Sequence, residues 1–140
     1  MKKWIAVIVL LAFLLLFAGC GQNERLPKMS AGEIVSIEIW SNDPFMKVML
    51  DAEDIRTFVK LYNASEYQGE GTGVGGTPIY GAIISYKDGS EFYINEFNGN
   101  ADLEVTFVGG PDQFVWCYAD NQALLDYMAD KLNGAGASEP

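Results

Sequence analysis

The sequence predicts an α+β domain: an antiparallel sheet of about six strands with two helices packed on one face, in the order strand, strand, helix, four strands, helix. Three observations predict it. Short runs alternate apolar and polar residues with the period of two that a half-buried strand requires. Two stretches repeat apolar residues at helical spacing. Turn residues cut the runs into lengths that suit hairpins.

Val35, Ile37 and Ile39 alternate with Ser36, Glu38 and Trp40, which reads as the first strand. Ser41-Asn42-Asp43-Pro44 is a turn cluster, and Phe45 to Leu50 returns as the second strand. Asp51 is placed to cap a helix. Asp54 stands at its N3 position in a capping-box-like arrangement, with Leu50 and Ile55 at the staple positions. Ile55, Phe58, Val59 and Tyr62 then recur at i, i+3, i+4 and i+7, giving one buried helix face. Gln68 to Pro78 is glycine-rich and reads as an irregular loop.

Ile79 to Tyr86 reads as a strand, Lys87-Asp88-Gly89-Ser90 as a hairpin turn, and Glu91 to Phe97 as the returning strand. Asn98-Gly99-Asn100 is a further turn signal. Leu103, Val105 and Phe107 alternate with polar neighbours until Gly109-Gly110-Pro111-Asp112 breaks the run, and Gln113 to Tyr118 follows as the last strand. Asp120 or Asn121 caps the final helix. Its apolar stripe is Leu124, Leu125, Met128 and Leu132, and Asn133-Gly134 suits its end.

Ahead of this body, Lys2 and Lys3 precede an apolar run from Trp4 to Phe17, followed by Ala18-Gly19-Cys20. A charged start, a short apolar stretch and small residues at a cleavage point form a secretory leader. The run falls short of the roughly 20 apolar residues that span a bilayer. The box Phe17-Ala18-Gly19-Cys20 resembles that of bacterial lipoprotein signals, with Phe17 where leucine is usual. The resemblance implies cleavage before Cys20, acylation of that cysteine, and anchoring on the extracytoplasmic face of the cell membrane. The expected organisation is a leader over 1–19, a lipidated Cys20 and flexible tether over 20–33, one domain over 34–133, and a disordered tail over 134–140. Fully extended, the thirteen tether residues 21–33 would reach about 45 Å. The body, with Asp51-Ala52-Glu53-Asp54-Ile55 and Tyr86-Lys87-Asp88-Gly89, resembles small Gram-positive lipoproteins of unassigned function. That resemblance carries over no catalytic residue.

Composition excludes several chemistries. Without Lys2 and Lys3, seven of the nine basic residues face nineteen acidic ones, a net charge near −12. Such a surface repels nucleic acid phosphates and anionic headgroups, so no nucleic acid partner is expected. Histidine is absent, which removes the commonest general base and metal ligand. With Cys20 acylated, Cys117 stands alone in Phe114-Val115-Trp116-Cys117-Tyr118, where it reads as a small buried hydrophobe.

Three features are candidate sites. The loop Gly69-Glu70-Gly71-Thr72-Gly73-Val74-Gly75-Gly76 follows a helix and precedes a strand. That order is the reverse of a phosphate cradle, and Glu70 would repel the anion. It reads as a long connection with Glu70, Thr72 and Val74 available to a partner. Residues 95–104 concentrate oxygen ligands without EF-hand spacing and read as a polar turn rather than a calcium loop. Among the aromatic residues, Trp40 alternates away from Val35, Ile37 and Ile39, so it reads as an exposed anchor on the other sheet face.

These readings predict a membrane-anchored binding or interaction module without catalysis, metal or cofactor. Its partners are the membrane, through Cys20, and an unknown protein or small ligand that touches Trp40, Glu70, Thr72 and Val74. One alternative is a small carboxylate-dependent hydrolase, for which no pair of acids stands out. The other is a structural accessory subunit of a cell-envelope complex.

Overall fold

A computed structural model describes the backbone of residues 26–70, 77–96, 102–108 and 114–136, and the side chains of these except at 70, 102–108 and 114–117. The leader, Cys20, Thr72, Val74 and the last four tail residues lie outside the described residues. Among the described residues, seven strands form one antiparallel sheet: β1 (Ile34–Asn42), β2 (Phe45–Met49), β3 (Glu66–Glu70), β4 (Tyr80–Tyr86), β5 (Glu91–Glu96), β6 (Asp102–Val108) and β7 (Phe114–Asp120). Their order across the sheet is β2-β1-β4-β5-β6-β7-β3. Helices α1 (Ala52–Tyr62) and α2 (Gln122–Gly136) pack on one face, as the apolar stripes predict.

Both helices start where the sequence places a cap. The Asp51 carboxylate accepts from the backbone N–H of Glu53 at 2.8 Å and of Asp54 at 2.9 Å, satisfying two orphan donors of the first turn. Asn121, rather than Asp120, caps α2: its Oδ1 accepts from Leu124 N–H at 2.9 Å. Its amide nitrogen donates to the Leu61 carbonyl and the Ser65 hydroxyl, which joins the start of α2 to the end of α1.

The core lies between the helices and the sheet. Phe58 and Tyr62 of α1 and Leu124 and Met128 of α2 are buried against Ile37, Ile39, Ile84, Phe92 and Ile94. The Tyr62 and Phe92 rings meet edge to face at 5.5 Å and 84°, the geometry their quadrupoles favour. Ile55, expected on the buried stripe, is only partly buried, because it sits in the first turn near the rim.

Four local expectations are corrected. Glu66–Glu70, whose first residues had no assignment and whose last belonged to the expected loop, forms an additional edge strand beside β7. Tertiary pairing decides this: Glu-Tyr-Gln-Gly-Glu has no apolar alternation, but β7 offers an open edge. Val35 is 62 % exposed, because a bulge between Ile34 and Ser36 gives the inward slot to Ile34. Asp54 does not close a capping box; its carboxylate turns to α2. Residues Gly134–Gly136, expected in the tail, continue α2, and Gly136 lies against the Met46 sulfur.

The largest difference concerns the tether. From Leu26 onward, the segment is packed into the domain. Leu26 and Met29 are each 5 % exposed and belong to the core. Tyr62 donates to the Pro27 carbonyl at 3.0 Å, and Asn63 bonds both polar backbone groups of Met29. A short 3-10 turn, Ala31–Glu33, then leads into β1. Polar composition hid this strap, because two apolar residues, Leu26 and Met29, supply its burial.

Candidate binding face

The helices cover one face of the sheet, and the strand register assembles the other. Cross-strand pairing sets Lys47, Trp40, Gly81 and Asn95 in one row and Met49, Glu38, Ile83 and Tyr93 in the next. Alternation places these residues opposite Ile37, Ile39, Ile84 and Ile94. Trp40 therefore lies on the face the sequence predicts. It is half-buried rather than fully exposed, for a reason that involves Gly81.

A Cβ at Gly81 would stand 3.0 Å from Trp40 Cζ2, 3.0 Å from Asn95 Oδ1 and 2.3 Å from the Ile94 carbonyl oxygen. Gly81 thus leaves a slot into which the indole reaches across the adjacent strand. The Trp40 Cζ2 edge, the Asn95 side-chain oxygen and the Ile94 carbonyl all border the space a Gly81 side chain would take. An aromatic held this way is preorganised, so a partner would not have to order it on binding. The slot is not legible in the sequence, because it requires the β1–β4 register.

Around the indole, the Lys47 ammonium meets the Glu38 carboxylate at 2.7 Å. Tyr93 donates its hydroxyl to Glu91, and that bond raises its pKa above the ordinary value. Among the described residues, the exposed large hydrophobics are Val35, Phe45 at 72 %, Met49 at 59 % and Ile79 at 50 %. Phe45 and Met49 lie on β2, Val35 is the second residue of β1, and the Ile79 carbonyl accepts from Asn42 N–H. All four therefore flank the β2–β1–β4 side of the sheet, where Trp40 sits.

Of the other predicted contact residues, Glu70 is not brought to Trp40, and Thr72 and Val74 lie outside the described residues. Glu70 pairs in register with Cys117 at the β3 edge. Five strand spacings separate β3 from β1, about 24 Å at roughly 4.8 Å each. Cys117 and Trp116 have backbone positions on β7, and their side chains lie outside the described set.

Two polar clusters were not singled out from the sequence. In one, Asp54 Oδ1 accepts from the Tyr127 hydroxyl at 2.9 Å and from the Lys131 ammonium, which also lies 5.4 Å from the Tyr127 ring centre. The bond from Lys131 holds the Asp54 carboxyl below its ordinary value. Burial, then the bond to Asp54, pushes the Tyr127 hydroxyl well above its own. This cluster lines an open cavity of about 600 Å³, and its groups satisfy one another, so it serves as a tie between α1 and α2. The other cluster is the row Ser41, Tyr80 and Glu96 on the helix-covered side, where Ser41 and Glu96 are buried. Glu96, expected in the polar turn, is 1 % exposed. Its parity with Phe92 and Ile94 was the signal that placed it inward.

Among the described residues, no group of three or more His, Cys, Asp or Glu side chains is arranged to hold a metal. Of residues 95–104, the expected polar turn, only Asn95 and Glu96 have described side chains. No helix among the described residues is long and apolar enough to cross a membrane. Comparison of the chain with protein-family models, curated proteins and solved structures finds no match.

Proposed function

We propose that this chain is a lipid-anchored extracytoplasmic lipoprotein whose domain is a non-catalytic binding module, and that its contact surface is the uncovered sheet face centred on Trp40. The observation that carries the reading is the indole set into the Gly81 slot, with exposed Phe45 and Met49 on the neighbouring strand. Large aromatics in preformed positions dominate contact energies when a partner buries them. A core-facing role does not account for an indole on the side away from both helices.

The leader and Cys20 box support the anchor. Because Leu26 already belongs to the core, residues 21–25 are all the chain between the anchor and that core residue, a reach of at most about 18 Å at roughly 3.6 Å each. The module would work close to the membrane. Fatty-acid probe labelling tests the anchor: the wild type should label and Cys20→Ala should not. Trp40→Ala in the full chain tests the surface: membrane partners recovered by cross-linking should be lost while the protein stays folded. Recovery equal to wild type would refute the Trp40 surface.

A further inference from the structure

We propose that β2 is a self-association edge, through which two copies of this chain pair β2 to β2 antiparallel about a twofold axis at Lys47. β2 and β3 are the two end strands of the sheet. Sheet edges carry unpaired N–H and C=O groups and are blunted by bulges, charge or proline. β3 has such devices: a bulge between Tyr67 and Gly69, Gly69 at φ 143°, and two glutamates in five residues. β2 is Phe-Met-Lys-Val-Met, with no acid, glycine, proline or bulge. Its one charge, Lys47, is neutralised by Glu38 at 2.7 Å.

The ladder shows which groups point outward. Leu50 N–H donates to the Ile37 carbonyl, and Asn42 N–H donates to the Ile79 carbonyl. In an antiparallel pair, hydrogen-bonded and non-hydrogen-bonded pairs alternate. Leu50, Val48 and Met46 therefore bond toward β1. The backbone groups of Phe45, Lys47 and Met49 point out of the sheet.

Those three residues are self-complementary. A twofold axis at Lys47 sets Phe45 of one copy opposite Met49 of the other, twice. Among the described residues they are two of the three most exposed large hydrophobics: Phe45 at 72 %, Val35 at 62 % and Met49 at 59 %. Both lie on the uncovered face, so the pairing buries both and joins two sheets into one. The two lysines come opposite each other with their charges already compensated. The high acidity of the chain opposes association at long range, so salt should favour this dimer. A cationic partner strand would show the reverse dependence. The proposal does not rest on the Trp40 reading, since pairing uses the strand edge.

The test is disulfide trapping of the full chain in membranes. A hydrogen-bonded antiparallel pair holds its Cα atoms about 5.5 Å apart, within disulfide reach. Under mild oxidant, Lys47→Cys should give several-fold more linked dimer than the wild type, which reports on the native cysteines, or Arg56→Cys on exposed α1. Adding Phe45→Glu, a change at an exposed site that keeps every backbone donor, should lower the yield several-fold. Raising salt to about 0.5 M, where the Debye length is only a few Å, should hold or raise it. A Lys47→Cys yield no greater than that of Arg56→Cys overturns the proposal. So does a dimer unaffected by Phe45→Glu, or one lost on adding salt.

Discussion

Asn63 holds Met29 by both of its polar backbone groups: its Oδ1 accepts from Met29 N–H at 2.9 Å and its amide donates to the Met29 carbonyl at 2.9 Å. The side chain at the end of α1 thereby acts as a strand partner for the strap. Lys28 adds a bond to the Asn63 carbonyl, and Met29 fills the core beneath. A segment with little apolar content is fixed because its backbone finds partners.

The strap is therefore expected to be part of the folding unit. Met29→Ala should cost about 2–5 kcal/mol, the usual range for truncating a buried methionine. A version starting at residue 34 should melt well below one starting at Leu26. Denaturant melts of the two lengths check this, and equal stability would return residues 26–33 to a passive tether.

The Asp54 tie predicts a pH dependence of definite sign. Its carboxyl titrates below the ordinary 3.8, so its stabilising share is complete above that value and is lost as pH falls through the lower folded value. On the alkaline side, burial raises Tyr86 to about 12. Its share is complete below pH 10 and is lost as pH rises through about 12. Melting temperature against pH should fall at both ends. Asp54→Asn should flatten the acid limb, by about 1 kcal/mol or less for a partly exposed pair.

Phe58, on the inner face of α1, is fully buried, so Phe58→Ala should cost about 3–5 kcal/mol. Chelator and reductant should leave the cooperative melt in place, because the packed core is sufficient to hold a domain of this size. Loss of the melt under either reagent would show that the core account is incomplete.

The Gly81 slot predicts an asymmetry between two substitutions. Gly81→Val places a Cβ 2.3 Å from the Ile94 carbonyl oxygen, a backbone atom that cannot swing aside, and should disrupt the β4–β5 pairing. Trp40→Ala removes a half-buried ring and should cost less, about 1–2 kcal/mol. Thermal melts of the two variants check the order.

What the sequence revealed followed from local rules. The alternation of Ile37 and Ile39, the Asp51 cap and the stripes of Phe58 and Leu124 are written within a few residues of one another, and each stands in the structure. The fold class, the antiparallel sheet and the covered face follow from them. What stayed hidden depends on residues far apart. Glu66–Glu70 became a strand because of β7, and Leu26 became core because of α1. Trp40 could be assigned to its face from parity alone. The slot that holds it needs Gly81, forty-one positions later, and that register is set by the whole β1–β4 ladder.

The most direct measurement is site-specific photo-cross-linking of the full chain in cells, with p-benzoylphenylalanine at Trp40 compared with Thr57 on the exposed side of α1. The account predicts light-dependent adducts of defined mass from position 40 and few from position 57. An absence of adducts at 40, or the same pattern from both positions, would contradict the sheet face as the contact surface.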